Sequence, residues 1–244
     1  MATASMRTEL LGQSDWAWAR TQARLEDLTD DELFWEPYPG CWTLRQLRDG
    51  TWVSDGIGTE PEVPPLTTIV WRIVHLIGCY GAARNSEWMA VQVEPGPLES
   101  WDVTPTTAAE ARATLAQAHE RWRQVLLATD DGTLGLALGS IGGQHAEASR
   151  AAFLIHQLDE IVHHAAEIGL MRDLYRAASG RIHGDPLVAR LMAGDLSALD
   201  AAGDRGDLVG ELASVGRWDL VQEALVGAVR RTGRPRPPCT EPPP

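Results

Sequence analysis

The sequence predicts an all-α protein: a four-helix bundle followed by a small helical C-terminal extension. Three observations carry this expectation. Apolar residues recur at helical spacing through four long segments. Glycine- and proline-rich stretches separate those segments, and no convincing strand pattern lies between them. Long helices joined by loops pack as a bundle, in which metal and ligand sites are built from inward side chains on facing helices.

The first helix is expected over residues 6–28, where Leu10, Leu11, Trp18, Leu25 and Leu28 alternate with charges. Thr29 then reads as an N-cap, and Asp30, Asp31 and Glu32 form an acidic first turn that suits the positive end of a short helix. Glu36-Pro37-Tyr38-Pro39-Gly40 is a turn, and Trp42-Thr43-Leu44-Arg45 reads as another short turn of helix. Residues 50–66 hold three glycines and three prolines and read as a long loop, of the kind that often carries a substrate-binding segment.

A second helix is expected over residues 67–90, with Trp71, Val74, His75 and Gly78 on one face. The third opens after Thr106 and Thr107 with Glu110 in its first turn, and runs to about residue 129. Its Leu115, Trp122, Val125 and Leu126 should face inward. A glycine-rich connection over residues 132–143 leads to the fourth helix, residues 144–178. The bundle therefore spans residues 1–180. Residues 185–231 form a separate helical extension in which Gly216-Arg217-Trp218-Asp219-Leu220-Val221 resembles part of an ankyrin-type repeat. Such a fragment needs neighbours to bury its faces, so it should pack on the bundle or mediate homodimer contacts. Residues 232–244 are proline-rich and expected to be disordered.

Composition removes several classes of function. A formal charge of −13 argues against a nucleic-acid partner, which needs a basic face. No apolar run approaches the ~20 residues that span a bilayer, and residues 1–7 show no secretory leader, so a soluble cytoplasmic protein with no membrane contact is expected. All 21 basic side chains are arginine. Without lysine there is no Schiff-base chemistry and no phosphate-binding lysine of the P-loop or kinase type. The three cysteines Cys41, Cys79 and Cys239 form no CxxC pair. Cys79 falls one helical turn after His75, where it reads either as a small buried apolar side chain or as a group projecting into the same site.

The chemistry concentrates in the fourth helix. Residues four apart stand one turn above each other, so His156, Glu160 and His164 form a column, with Glu167 near its end. One carboxylate and one imidazole from that column, with His75 from the second helix, can bind a divalent metal at bond lengths of ~2.0–2.2 Å for zinc and leave positions open. Asp159 and His163 form a second pair on a face rotated by about 100°, but neither His156 nor Glu167 continues it, which favours Glu160 and His164. His163 is then an outer donor, a substrate contact or a surface residue. His156 is a fourth ligand or a substrate-positioning group, and Glu167 an acceptor for a ligand imidazole. The same groups can alternatively support thiol-independent hydrolysis or isomerisation, with His156, His163 or Glu167 as base.

Several pieces in order carry a family resemblance: Leu28-Thr29-Asp30-Asp31-Glu32-Leu33, Trp35-Glu36-Pro37, Trp42-Thr43-Leu44-Arg45, Trp71-Arg72-Ile73-Val74-His75, and the run from Asp159 to Glu167. Over residues 6–178 the chain resembles the DinB-like helical-bundle superfamily, in particular its mycothiol-dependent maleylpyruvate isomerase branch. The resemblance implies a four-helix bundle with one divalent metal, zinc or nickel, held by His75, Glu160 and His164. Glu160 stands where many members carry histidine, a variation of that branch. It also implies a low-molecular-weight thiol of the mycothiol type as cosubstrate, in an S-transferase or isomerase acting on a small electrophile, with Arg72 and Arg84 as anion contacts or as solvated surface residues. The ankyrin-like extension departs from the branch, so maleylpyruvate need not be the substrate, and a non-enzymatic stress or interaction module is the further alternative.

Overall fold

The computed structural model describes residues 5–56, 62–63, 65–93, 103–179 and 190. The chain divides into two compact units, Met1–Arg172 and Asp173–Pro244. Residue 190 apart, the ankyrin-like extension at 185–231 and the tail at 232–244 lie outside the described residues.

The described protein is mostly helical, as its sequence predicts. Helix α1 spans Met6–Leu25 and is capped by Ser5, whose hydroxyl accepts from the Thr8 amide. The short helix α2, Asp30–Leu33, has Thr29 as its N-cap. Helix α5, Ala108–Ala128, is capped by Thr107. These three starts follow from local chemistry, because a side-chain oxygen at the cap satisfies an amide that the helix itself cannot. Helix α5 packs against α1, α3 (Ile69–Tyr80) and α4 (Ala82–Met89). Its Leu115, Trp122, Val125 and Leu126 are all buried, and the Trp122 indole donates to Ser14 Oγ at 2.9 Å.

Helix α7, Arg150–Ala178, runs antiparallel to α3 and α4. Moving up α7, its partners move down the other pair. Arg150 donates to the Met89 carbonyl, Phe153 stacks on Trp88, Gln157 meets Arg84, His164 meets His75 and Glu167 meets Arg72. This register brings the acidic and imidazole groups of α7 opposite His75.

Four expectations need correction. Leu44–Gln46 is a strand, β1, rather than a turn of helix. It pairs antiparallel with β2, Trp52–Ser54, in a hairpin where the sequence reads as a loop without strands. The reason is non-local. Trp42 bridges to Thr67 through two backbone hydrogen bonds, and Asp55 Oδ2 accepts from the Thr43 amide and from Arg45, so the segment is held extended by residues far along the chain. Second, the helix expected over 67–90 is broken at Gly81 into α3 and α4. At the break, Asn85 Nδ2 and Arg84 donate to the Cys79 carbonyl and replace the lost helical bond. Third, the last helix starts at Arg150 rather than 144. Residues Gly139–His145 form a 3₁₀ segment containing Gly143 at φ +53°, and Ala148 is tied to Leu138 by a backbone bond. Fourth, Arg72 and Arg84 are not solvated surface residues, for both bind internal partners.

His119 illustrates how burial fixes a charge state. It is 4% exposed, stacks on Trp18 at 4.3 Å and meets Tyr80 edge-on. Burial pushes its pKa down to about 4, with Asp15 opposing and Arg123 reinforcing the shift. The unfolded chain therefore takes up a proton at this site between pH 6.5 and about 4 that the folded protein refuses. Stability contributed by the neutral ring is complete above pH 6.5 and falls as pH drops through that window, by up to about 3 kcal/mol. In His119→Phe, urea midpoints measured at pH 7.5 and pH 5 should differ by clearly less than in the wild type. An unchanged difference would remove His119 as the cause.

Candidate metal centre

Helix α3 supplies His75 and Cys79 one turn apart, and α7 supplies Glu160, His163, His164 and Glu167. Both imidazoles approach one oxygen of Glu160. Glu160 Oε2 lies 3.2 Å from His164 Nε2 and 3.7 Å from His75 Nε2. The two imidazoles meet edge-to-face, with ring centroids 4.4 Å apart. Cys79 joins this cluster: one ligand atom each from His75, Cys79 and Glu160 lie within 4.8 Å of one another.

A chain of aromatic contacts holds His75 in place. Its ring stacks on Trp71 at 5.3 Å, Trp71 contacts Trp42, and the Trp71 indole donates to the Asp55 carbonyl at 2.9 Å. Trp42 in turn lies over Gly56, where a Cβ would come within 2.8 Å of the ring. With φ at +80°, Gly56 is both the only small enough residue and the conformationally suited one at that contact. The hairpin thus braces the imidazole rather than merely covering it.

Electrostatics set the charge states of His75 and Glu167. Burial, followed by the neighbouring His164 and Arg72, pushes the His75 pKa down to about 4 despite the opposing Glu160, so its ring is neutral near pH 7. For Glu167, burial acts to raise the pKa. The hydrogen bond from His164 and the positive charge of Arg72 outweigh it and hold the carboxyl below its usual range. Arg72 Nε donates to Glu167 Oε2 at 2.8 Å. The 2.6 Å contact between His164 Nδ1 and Glu167 Oε2 is a hydrogen bond in the tautomer that carries its proton on Nδ1. Arg72 also lies 3.1 Å from that nitrogen, but its firm partner is the carboxylate.

This tautomer turns the lone pair of His164 Nε2 toward Glu160 Oε2, itself an acceptor. Two acceptors at 3.2 Å repel unless a proton or a cation lies between them. Two imidazoles and a carboxylate form a donor set that suits a borderline divalent ion such as zinc or nickel. A carboxylate holding the far nitrogen of an imidazole is the usual outer support of such a ligand.

Among the described residues His163, His164 and Glu167 form a second donor group, with one ligand atom of each within 4.8 Å of the others. His163 is exposed, with Nε2 3.2 Å from Glu167 Oε1. His156 is exposed one turn before Glu160 and, among the described residues, belongs to neither donor group. It lines a groove of about 510 Å³ with Arg84, Trp88, Leu138 and Phe153. Arg84 donates to Gln157 Oε1 at 2.5 Å and to the Cys79 carbonyl at 3.2 Å. The sequence gives no sign of the roles of Arg72 and Gln157, because each depends on a partner more than seventy residues away, nor of Asn85, whose role exists only because the helix breaks at Gly81. The bracing of His75 by Trp71 has a visible signal in the four-residue spacing.

The family model for the DinB superfamily matches residues 13–168. No curated protein and no solved structure matches the chain. Among the described residues, no helix is long and apolar enough to cross a membrane.

Proposed function

The chain belongs to the DinB superfamily, and from that premise we propose that it is a divalent-metal-dependent enzyme whose ion is held by His75, Glu160 and His164. Its reaction is the transfer of a low-molecular-weight thiol of the mycothiol type to a small electrophile, or an isomerisation assisted by such a thiol. One observation carries this reading: His75 Nε2 and His164 Nε2 both converge on Glu160 Oε2. A bound divalent ion supplies a Lewis acid able to keep a thiol deprotonated near neutral pH.

The chain's own residues do the rest. Glu167, fixed by Arg72, holds the Nδ1 proton of His164 and so keeps Nε2 available. Trp71 and Trp42 orient His75 and keep water from its stacked face. His163 Nε2, exposed beside Glu167 Oε1, exchanges protons between the site and solvent. The groove lined by Trp88, Phe153 and His156 receives the apolar body of the electrophile, and its volume falls in the range of about 300–1,000 Å³ usual for small-molecule sites. Arg72 thus positions a ligand support, and Arg84 shapes the groove wall through Gln157. The protein acts in the cytoplasm, where such thiols are kept reduced.

Zinc-loaded protein should consume a mycothiol-type thiol in the presence of a chromogenic alkylating electrophile, and His75→Ala protein should not. Turnover independent of thiol would replace transfer by hydrolysis or isomerisation. Equal rates in wild type and His75→Ala would remove the metal from the reaction.

A further inference from the structure

The two described cysteines differ in a way their burial does not explain. Both are free and buried. The Cys41 thiol donates to the Tyr38 carbonyl at 3.0 Å, an ordinary local satisfaction of an S–H group. The thiol of Cys79, 3% exposed, has no such partner among the described residues. Its sulfur instead belongs to the donor group with His75 and Glu160, within 4.8 Å of a ligand atom of each.

The backbone fixes that placement. Cys79 follows His75 by four residues, so both side chains leave the same face of α3. The helix ends two residues later at Gly81, and the Cys79 carbonyl is held by Asn85 Nδ2 at 3.0 Å and by Arg84 at 3.2 Å. Asn85 is fully buried. The broken helix therefore clamps the residue that carries the sulfur.

We propose that Cys79 is a fourth protein donor to the ion, giving the set His75, Cys79, Glu160 and His164. The inference rests on the metal reading above and deepens it by adding a soft ligand. Four donors of this kind complete a tetrahedral zinc ion, so a substrate thiol would enter either as a fifth ligand or by displacing one of the four. A thiolate in the set favours zinc over magnesium or manganese, which prefer all-oxygen surroundings. In the metal-free protein burial raises the thiol pKa to about 12, so the sulfur carries its proton. On metal binding the S–H bond breaks, the proton leaves to solvent, and the sulfur lone pair forms the bond to the ion; nothing is oxidised or reduced.

Cobalt(II) tests this directly, because a cobalt–thiolate bond gives a charge-transfer absorption in the near ultraviolet that nitrogen and oxygen donors do not. Full-length apoprotein titrated with cobalt alone should develop this band with a one-to-one endpoint. Cys79→Ser should bind cobalt without the band, and its zinc affinity should fall by at least the ~10–100-fold that loss of an outer partner costs. Cys41→Ser should behave as the wild type. Cys79→Ala serves as a second variant should serine not fold. Stoichiometric cobalt without a thiolate band in the wild type overturns the inference and leaves the metal reading intact. A band that persists in Cys79→Ser also overturns it. Failure of the folded wild type to bind cobalt or zinc at all overturns both.

Discussion

Arg172→Ala is expected to destabilise the bundle by about 3–5 kcal/mol, read as a lowered urea midpoint. Arg172 and Glu32 are buried, with side chains 3% and 4% exposed. The guanidinium donates through Nε and a terminal nitrogen to the two Glu32 oxygens at 2.7 and 3.0 Å, and through NH1 to the carbonyls of Arg24 and Glu26. One side chain on α7 thus satisfies the C-terminal end of α1 and the carboxylate of α2 together. Alanine would leave Glu32 charged and buried, with two carbonyls lacking a donor. The double replacement Glu32→Leu with Arg172→Met should recover much of the loss, because it removes both charges and retains volume. If Arg172→Ala costs less than about 1 kcal/mol, as exposed pairs do, the buried pair is not what joins these helices.

The second large effect concerns the metal. Zinc at a thousand times its dissociation constant should stabilise the folded protein by about 4 kcal/mol, since it binds the folded state alone. His164→Ala should lose nearly all of that gain while keeping a metal-free stability within about 2–3 kcal/mol of the wild type. His164 is 8% exposed, so some packing is lost with the ring, and only the zinc-dependent part reports on ligation. Glu167→Gln should fall between the two. It keeps the shape beside His164 Nδ1 but weakens the acceptor and releases Arg72. A zinc increment equal in wild type and His164→Ala would place the ion elsewhere.

What the sequence conveys here depends on the range of the interaction. The starts of α2 and α5 are legible because Thr29 and Thr107 act on amides three residues away. The inward faces of α1 and α5 are legible because helical periodicity is local. The column His156–Glu160–His164, with Glu167 at its end, is legible for the same reason, and the structure brings Glu160 and His164 opposite His75 while His156 stays outside the cluster. The hairpin β1–β2 is not, because Trp42 is held extended by Leu66 and Thr68, more than twenty residues on. The break at Gly81 is hidden because Asn85 repairs it from the next helix, so that the apolar pattern continues across it. Arg72 and Arg84 read as anion contacts or solvated surface groups since nothing local reveals Glu167 or Gln157 beside them. Cys79 reads two ways in the sequence, and the structure shows it buried with its sulfur within 4.8 Å of ligand atoms of His75 and Glu160.

The central claim is that His75, Glu160 and His164 hold one divalent ion. The most direct measurement is metal stoichiometry by elemental analysis after zinc reconstitution and desalting, on wild type and on the His75→Ala, His164→Ala double variant, with folding checked by circular dichroism. The account predicts one zinc per chain in the wild type and less than a tenth of that in the folded double variant. A folded wild type that retains no zinc, or a double variant that retains a full equivalent, would contradict it.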